Sequence, residues 1–112
     1  MSDADFNEKI LVGLIRSWPA LDVQRLRDLG MGRAIDPEVL AWAADADRIV
    51  LSHDKNTMPG HANRRLKSGL SFPGLVIVPQ ILGIGAAIAD LEILVRAGVQ
   101  ADFENQIVRL PL

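Results

Sequence analysis

Two short runs constrain the fold more than anything else in this chain: "RIVLS" (48–52) and "GLVIVP" (74–79). Neither alternates apolar with polar residues. A strand without that alternation is covered on both faces, as in a parallel sheet with helices above and below it. Helical patterns surround these runs. Phe6, Ile10, Leu11, Leu14 and Ile15 share one face before Pro19 stops the repeat, and Asp5 is placed to cap it. "DPEVLAWAADAD" opens a helix with Asp36 at the N-cap, Pro37 at the first helical position and Glu38 in the first turn, and turns Val39, Leu40, Trp42 and Ala43 to the core.

Residues 58–69 form a third helix, and "GIGAAIADLEILVRAG" a fourth, closed by Gly98. A last helical turn fits 102–105, "LDVQRLRDLG" (21–30) reads as a short strand with one wet side, and "QIVRLPL" reads as an edge strand. Strands alternating with helices predict one α/β domain over residues 1–112, with a mostly parallel sheet of about four to five strands.

Composition narrows the function. The formal net charge of −2 gives no global attraction for nucleic acid, so such binding needs a local basic patch. The absence of cysteine excludes disulfides and thiolate metal sites. The first ten residues lack the basic and apolar blocks of a signal peptide, and the longest apolar run, near 81–88, is too short and glycine-rich to span a bilayer. The expectation is a cytoplasmic protein without a membrane segment.

In parallel sheets, ligands collect beyond the carboxyl ends of the strands. "RIVLSHDKNT" delivers Asp54 and Asn56 to such an end, and Asp3, Asp5 and Asp36 precede helices that start on the same side. Carboxylates converging there suit Mg²⁺ or Mn²⁺, which take oxygen ligands, while an aspartate before a helix also serves as a plain cap. His53 and His61 lack zinc-ligand spacing and fit hydrogen-bonding or surface roles. "GIG" (83–85) has neither the third glycine of a dinucleotide fingerprint nor a Lys-Ser/Thr pair, so it reads as close helix–sheet packing. Arg64, Arg65 and Lys67 are candidates for RNA phosphate contacts, with a solvated helix face as the alternative. Trp18 and Trp42 sit at core spacing.

The stretches "DPEVLAWAADADRIVLSHDKNTM", "GLVIVPQILGIGAAIADLEIL" and the ending "NQIVRLPL" resemble the small bacterial PIN-like domain proteins of unknown function, related to the Mut7-C group. The resemblance covers essentially the whole chain. It implies a Rossmann-like α/β fold and a metal-dependent ribonuclease site of acidic residues. It also implies a partner protein, as in toxin–antitoxin operons. By that resemblance Asp3, Asp36 and Asp54 hold the metal, and Asn56 stands where many relatives carry a further aspartate.

Relatives place a hydrophobic strand before their first acidic residue, where this chain has only Met1 and Ser2. Either the start lies elsewhere or the sheet is closed differently: by residues 1–4, by a closer approach of the flanking strands, or by a segment of another chain. A homodimer is the expectation. Two functions follow: a Mg²⁺/Mn²⁺-dependent endoribonuclease acting as a toxin with a cognate antitoxin, or a catalytically degenerate PIN-like module that binds or regulates.

Overall fold

A computed structural model describes residues 1–112. The elements run α1 (Glu8–Ser17), α2 (Asp36–Ala46), β1 (Val50–Ser52), α3 (Met58–Lys67), β2 (Leu75–Ile77), α4 (Ile84–Ala97) and β3 (Ile107–Arg109), with 3₁₀ turns at Leu26–Leu29 and Gln100–Phe103. The three strands form one parallel sheet in the order β1-β2-β3, pairing Leu51 with Val76 and Val76 with Val108.

The apolar runs do what their lack of alternation requires. Side chains along β1 and β2 point alternately into two cores. Val50, Leu75 and Ile77 join Val39, Leu40, Met58 and Phe72 on one face, while Val76 and Val78 join Ile10, Leu11, Leu14 and Leu91 on the other. Accordingly α2 packs with α3 on the first face and α1 with α4 on the second. β2 is interior and wholly buried.

The outer edge of β1 is closed by the start of the chain. Ser2 makes single parallel bridges to Leu51 on one side and Arg25 on the other. The amides of Leu51 and Asp3 complete the first seam, donating to Met1 O (2.7 Å) and Leu51 O (2.9 Å). Ser2 N–H reaches Gln24 O at 2.9 Å, and Leu26 N–H reaches Ser2 O at 3.0 Å. Of the three expected ways to fill the gap, closure by residues 1–4 is the one observed.

Several boundaries differ from expectation for physical reasons. Residues 21–30 touch Ser2 only around Arg25 before the chain tightens into the 3₁₀ turn; Arg25 and Arg27 turn back to Glu8 on α1 instead of extending a ladder. α1 begins two residues late because Phe6 N–H closes a turn on Asp3 O at 3.0 Å, so Asn7, not Asp5, accepts the capping bond, from Lys9 N–H at 2.9 Å. Asp36 is the first helical residue of α2, and Ile35 at the N-cap offers no capping side chain. The capping alternative therefore fails for both aspartates.

The close helix packing expected at "GIG" lies elsewhere. A Cβ at Gly83 or Gly85 would meet nothing within 4 Å, whereas one at Gly13 would lie 2.3 Å from Ile88 Cδ1. The tip of the Ile88 side chain on α4 fills the space over Gly13. Gly13→Val should cost about 1–3 kcal/mol through overpacking, and Gly85→Ala should be neutral or stabilise by up to about 1 kcal/mol. Urea denaturation compares them, and equal losses would contradict this assignment.

An apolar cavity of about 450 Å³ lies towards the amino ends of the strands, lined by Met1, Ile49, Leu51, Val76, Leu91 and Leu94 among others. No helix is long and apolar enough to cross a membrane.

Candidate metal centre

The carboxyl ends of the strands carry a second cleft, about 380 Å³, with Asp3, Asp5, Asp36, Ser52, His53, Asp54 and Gln80 in its lining. Four carboxylates enter it and no lysine or arginine does. An anionic phosphodiester is repelled from such a cleft unless a cation enters first.

Asp3 ends the initial segment beside β1. Its Oδ1 accepts Ala4 N–H at 2.9 Å and its Oδ2 accepts the Ser52 hydroxyl at 3.2 Å. Burial pushes the Asp3 carboxyl above its ordinary range; the Ala4 and Ser52 hydrogen bonds oppose this, and the charges of Asp36 and Asp5 add to the rise.

Asp54 follows β1 and shapes the next loop. Its Oδ1 accepts the amides of Asn56 (3.0 Å) and Thr57 (2.9 Å), the Asx arrangement that turns the chain into α3. Burial acts to raise its carboxyl, but bonds from the Thr57 hydroxyl and the Thr57, Asn56 and Met58 amides outweigh it and hold it below the usual range.

Thr57 joins the second pair. Its Oγ1 lies 3.3 Å from Asp36 Oδ2 and also contacts Asp54 Oδ2. Asp36 and Asp54 are thus within reach of one hydroxyl, although eighteen positions separate them in sequence. With no helix N-cap to serve, the Asp36 carboxylate is available to a ligand.

The remaining candidates sit differently. Asn56 contributes a backbone amide to Asp54, and its side chain is outside the cleft lining. Arg64 and Lys67 are exposed in the last turns of α3, and Arg65 donates to Ser71 O at 2.7 Å. At about 1.5 Å per residue, that end of the helix lies roughly 10 Å or more from Thr57, and none of the three lines the cleft.

His53 is occupied. Its Nδ1 lies 2.7 Å from Val78 O, its Nε2 is 3.0 Å from Asn7 N–H, and its ring stacks on Phe6 with centroids 4.4 Å apart. Because Asn7 can only donate, Nε2 is the acceptor and the proton sits on Nδ1. Both nitrogens tie β1, the end of β2 and the α1 cap together, leaving no lone pair for a metal. His53→Phe keeps the stack but leaves Asn7 N–H and Val78 O unpaired, at about 1–3 kcal/mol each. Its urea midpoint should fall while Mn²⁺ affinity holds; lost Mn²⁺ binding at full stability would make His53 a ligand instead.

The donor set is all oxygen, which suits magnesium or manganese. Mg²⁺ is usually held by one or two carboxylates with its waters retained, and Asp36 with Asp54 meets that requirement. No group of three His, Asp or Glu side chains is already assembled as ligands.

Asp3, Asp36 and Asp54, candidates from the sequence, lie together at this cleft; Ser52, Thr57 and Gln80, which lie beside them, were not among the candidates. The signal available for the first two was a hydroxyl on each side of a strand-end aspartate, as in "SHDKNT". No family model, curated protein or solved structure matches the chain.

Proposed function

We propose that this α/β domain is PIN-like and works as a Mg²⁺- or Mn²⁺-dependent endoribonuclease, the toxin half of a toxin–antitoxin pair. The observation that carries the reading is the approach of Asp36 and Asp54 to a single hydroxyl at the carboxyl edge of a parallel sheet. Ser2, bridged on both sides, supports the PIN-like part: residues 1–3 take the place of a central strand, and residues 24–26 that of a further one.

In this reading Asp36 and Asp54 bind the ion and Asp3 adds its charge from across the cleft. Asn56 assists through the loop it helps to fold. A divalent ion held by these carboxylates would supply the positive charge that polarises a phosphodiester and offsets charge on its leaving oxygen. The chain itself supplies fixed carboxylates and a cleft that admits cations ahead of phosphates. Arg64 and Lys67 lie outside the cleft and would meet the RNA backbone beyond the scissile position. A cognate antitoxin, a second copy of this chain and a cytoplasmic setting belong to the same proposal.

Asn56, where the resemblance places a further aspartate, offers Asp54 only its backbone amide, which favours a second reading, a degenerate PIN-like module that binds or regulates. RNA cleavage with Mn²⁺ and Mg²⁺, run beside Asp54→Ala, separates the two. Cleavage that requires the metal and Asp54 supports the enzyme. No cleavage supports the module, and cleavage unchanged in the variant points to another site or a contaminant.

A further inference from the structure

We propose that Ser52 is a positioning residue of this centre, its hydroxyl fixing the Asp3 carboxylate against the Asp54 backbone in the placement that a shared divalent cation needs. The inference rests on the metal-site reading above.

Ser52 is 1% exposed, one of two buried polar residues in the chain. Its Oγ accepts Asp54 N–H at 3.0 Å and stands 3.2 Å from Asp3 Oδ2. An amide can only donate, so that bond uses a lone pair of the hydroxyl. The single hydroxyl proton is left for the carboxylate, and the direction of the Ser52–Asp3 bond is fixed.

Asp3 then has one donor on each oxygen, Ala4 N–H on Oδ1 and Ser52 on Oδ2. Its remaining lone pairs are free for a ligand. The residues so joined lie 49 positions apart, on different segments, and no other side chain bonds to both Asp3 and Asp54. The platform is firm, since Ser52 is the last residue of β1 and its carbonyl accepts Val78 N–H at 2.8 Å.

Thr57 extends the connection from Asp54 to Asp36. Two hydroxyls thus connect the three aspartates: Ser52 joins the Asp3 carboxylate to the Asp54 backbone amide, and Thr57 lies between the Asp54 and Asp36 carboxylates. Thr57 is exposed and can turn away when a cation enters; Ser52 is buried and cannot. Only Ser52 therefore holds its carboxylate both before and after binding.

The test measures Mn²⁺ affinity by the electron paramagnetic resonance signal of free Mn²⁺, with urea midpoints recorded alongside. Ser52→Ala should weaken binding by about 10- to 100-fold, the usual effect of removing a group that orients a metal ligand. Ser52→Thr, which keeps the hydroxyl, should stay within a few-fold of the parent. In an Asp3→Ala background, Ser52→Ala should cost nothing further, because the serine acts through Asp3.

Ser52→Cys keeps the side chain's place and weakens the donor, and it gives the same ordering should the alanine variant not fold. Parent protein that binds Mn²⁺ with Ser52→Ala binding equally well overturns the role of Ser52 alone. An equal loss in the Asp3→Ala background overturns it too, showing general loosening of the fold. If the parent binds no Mn²⁺, the metal-site reading falls and takes this inference with it.

Discussion

Asp54→Asn should lower metal-dependent RNA cleavage by about 10²–10³-fold, the scale expected when one group that stabilises transition-state charge is removed, with little change in stability. Asparagine keeps the oxygen that accepts the Asn56 and Thr57 amides, so the turn into α3 survives. What it loses is the negative charge facing Asp36 across Thr57.

Asp36→Asn should act in the same direction with less structural consequence, because Asp36 caps no helix and its one side-chain partner is the Thr57 hydroxyl, whose single proton Asp54 also draws on. In the pair together, the second substitution should add much less than the first, since both serve one cation. Cleavage rates with saturating Mn²⁺, measured beside urea midpoints, check all three variants. Full activity in Asp36→Asn would exclude a centre shared between the two aspartates.

Much of the framework behind this prediction is visible in the chain itself. β1 and β2 announce themselves by unbroken apolar runs, since a strand buried on both faces has no polar side to disguise. α4 ends at Gly98 as its glycine suggests. Asp36 and Asp54 could be assigned to one sheet edge because each follows or opens an element whose direction the strand–helix alternation fixes.

The connections within the site were not visible, and the reason is separation. Ser52 meets Asp3 across 49 residues and His53 meets Asn7 across 46. No local periodicity encodes such pairs. His53 is also ambiguous by nature, since the same imidazole can ligate a metal or bridge two backbone groups, and only the neighbouring amide and carbonyl decide. The reading of residues 21–30 failed because alternation describes side-chain faces and says nothing of whether a neighbouring strand is long enough to pair with. Only residues 1–3 lie alongside, so the ladder stops at Arg25.

Those residues also carry the largest expected effect on stability. In the 112-residue chain the Met1 amine is buried, donates to Ile49 O, and is pushed down from 8.0 to about 5, first by burial and then by the charge of Arg48, against a smaller opposing pull from Asp22. Between those two values the unfolded chain carries a proton that the folded chain does not. Stability therefore rises with pH across the interval: it is fully present above pH 8 and is lost as pH falls towards 5. At about 1.4 kcal/mol per pH unit, the whole interval removes on the order of 4 kcal/mol, a large part of the roughly 5–15 kcal/mol that holds a small domain together.

Carboxylates and histidines titrate nearby, so the measurement needs a partner that differs only at the amine. Urea denaturation at several values from pH 5 to 8.5, on chains with a free and with an acetylated Met1, provides it. The free chain should lose stability on acidification more steeply, with the two curves diverging throughout the interval from pH 8 down to pH 5 and fastest near its middle. Parallel curves would mean that the amine reaches water in the folded protein and that residues 1–3 do not close the sheet edge in solution.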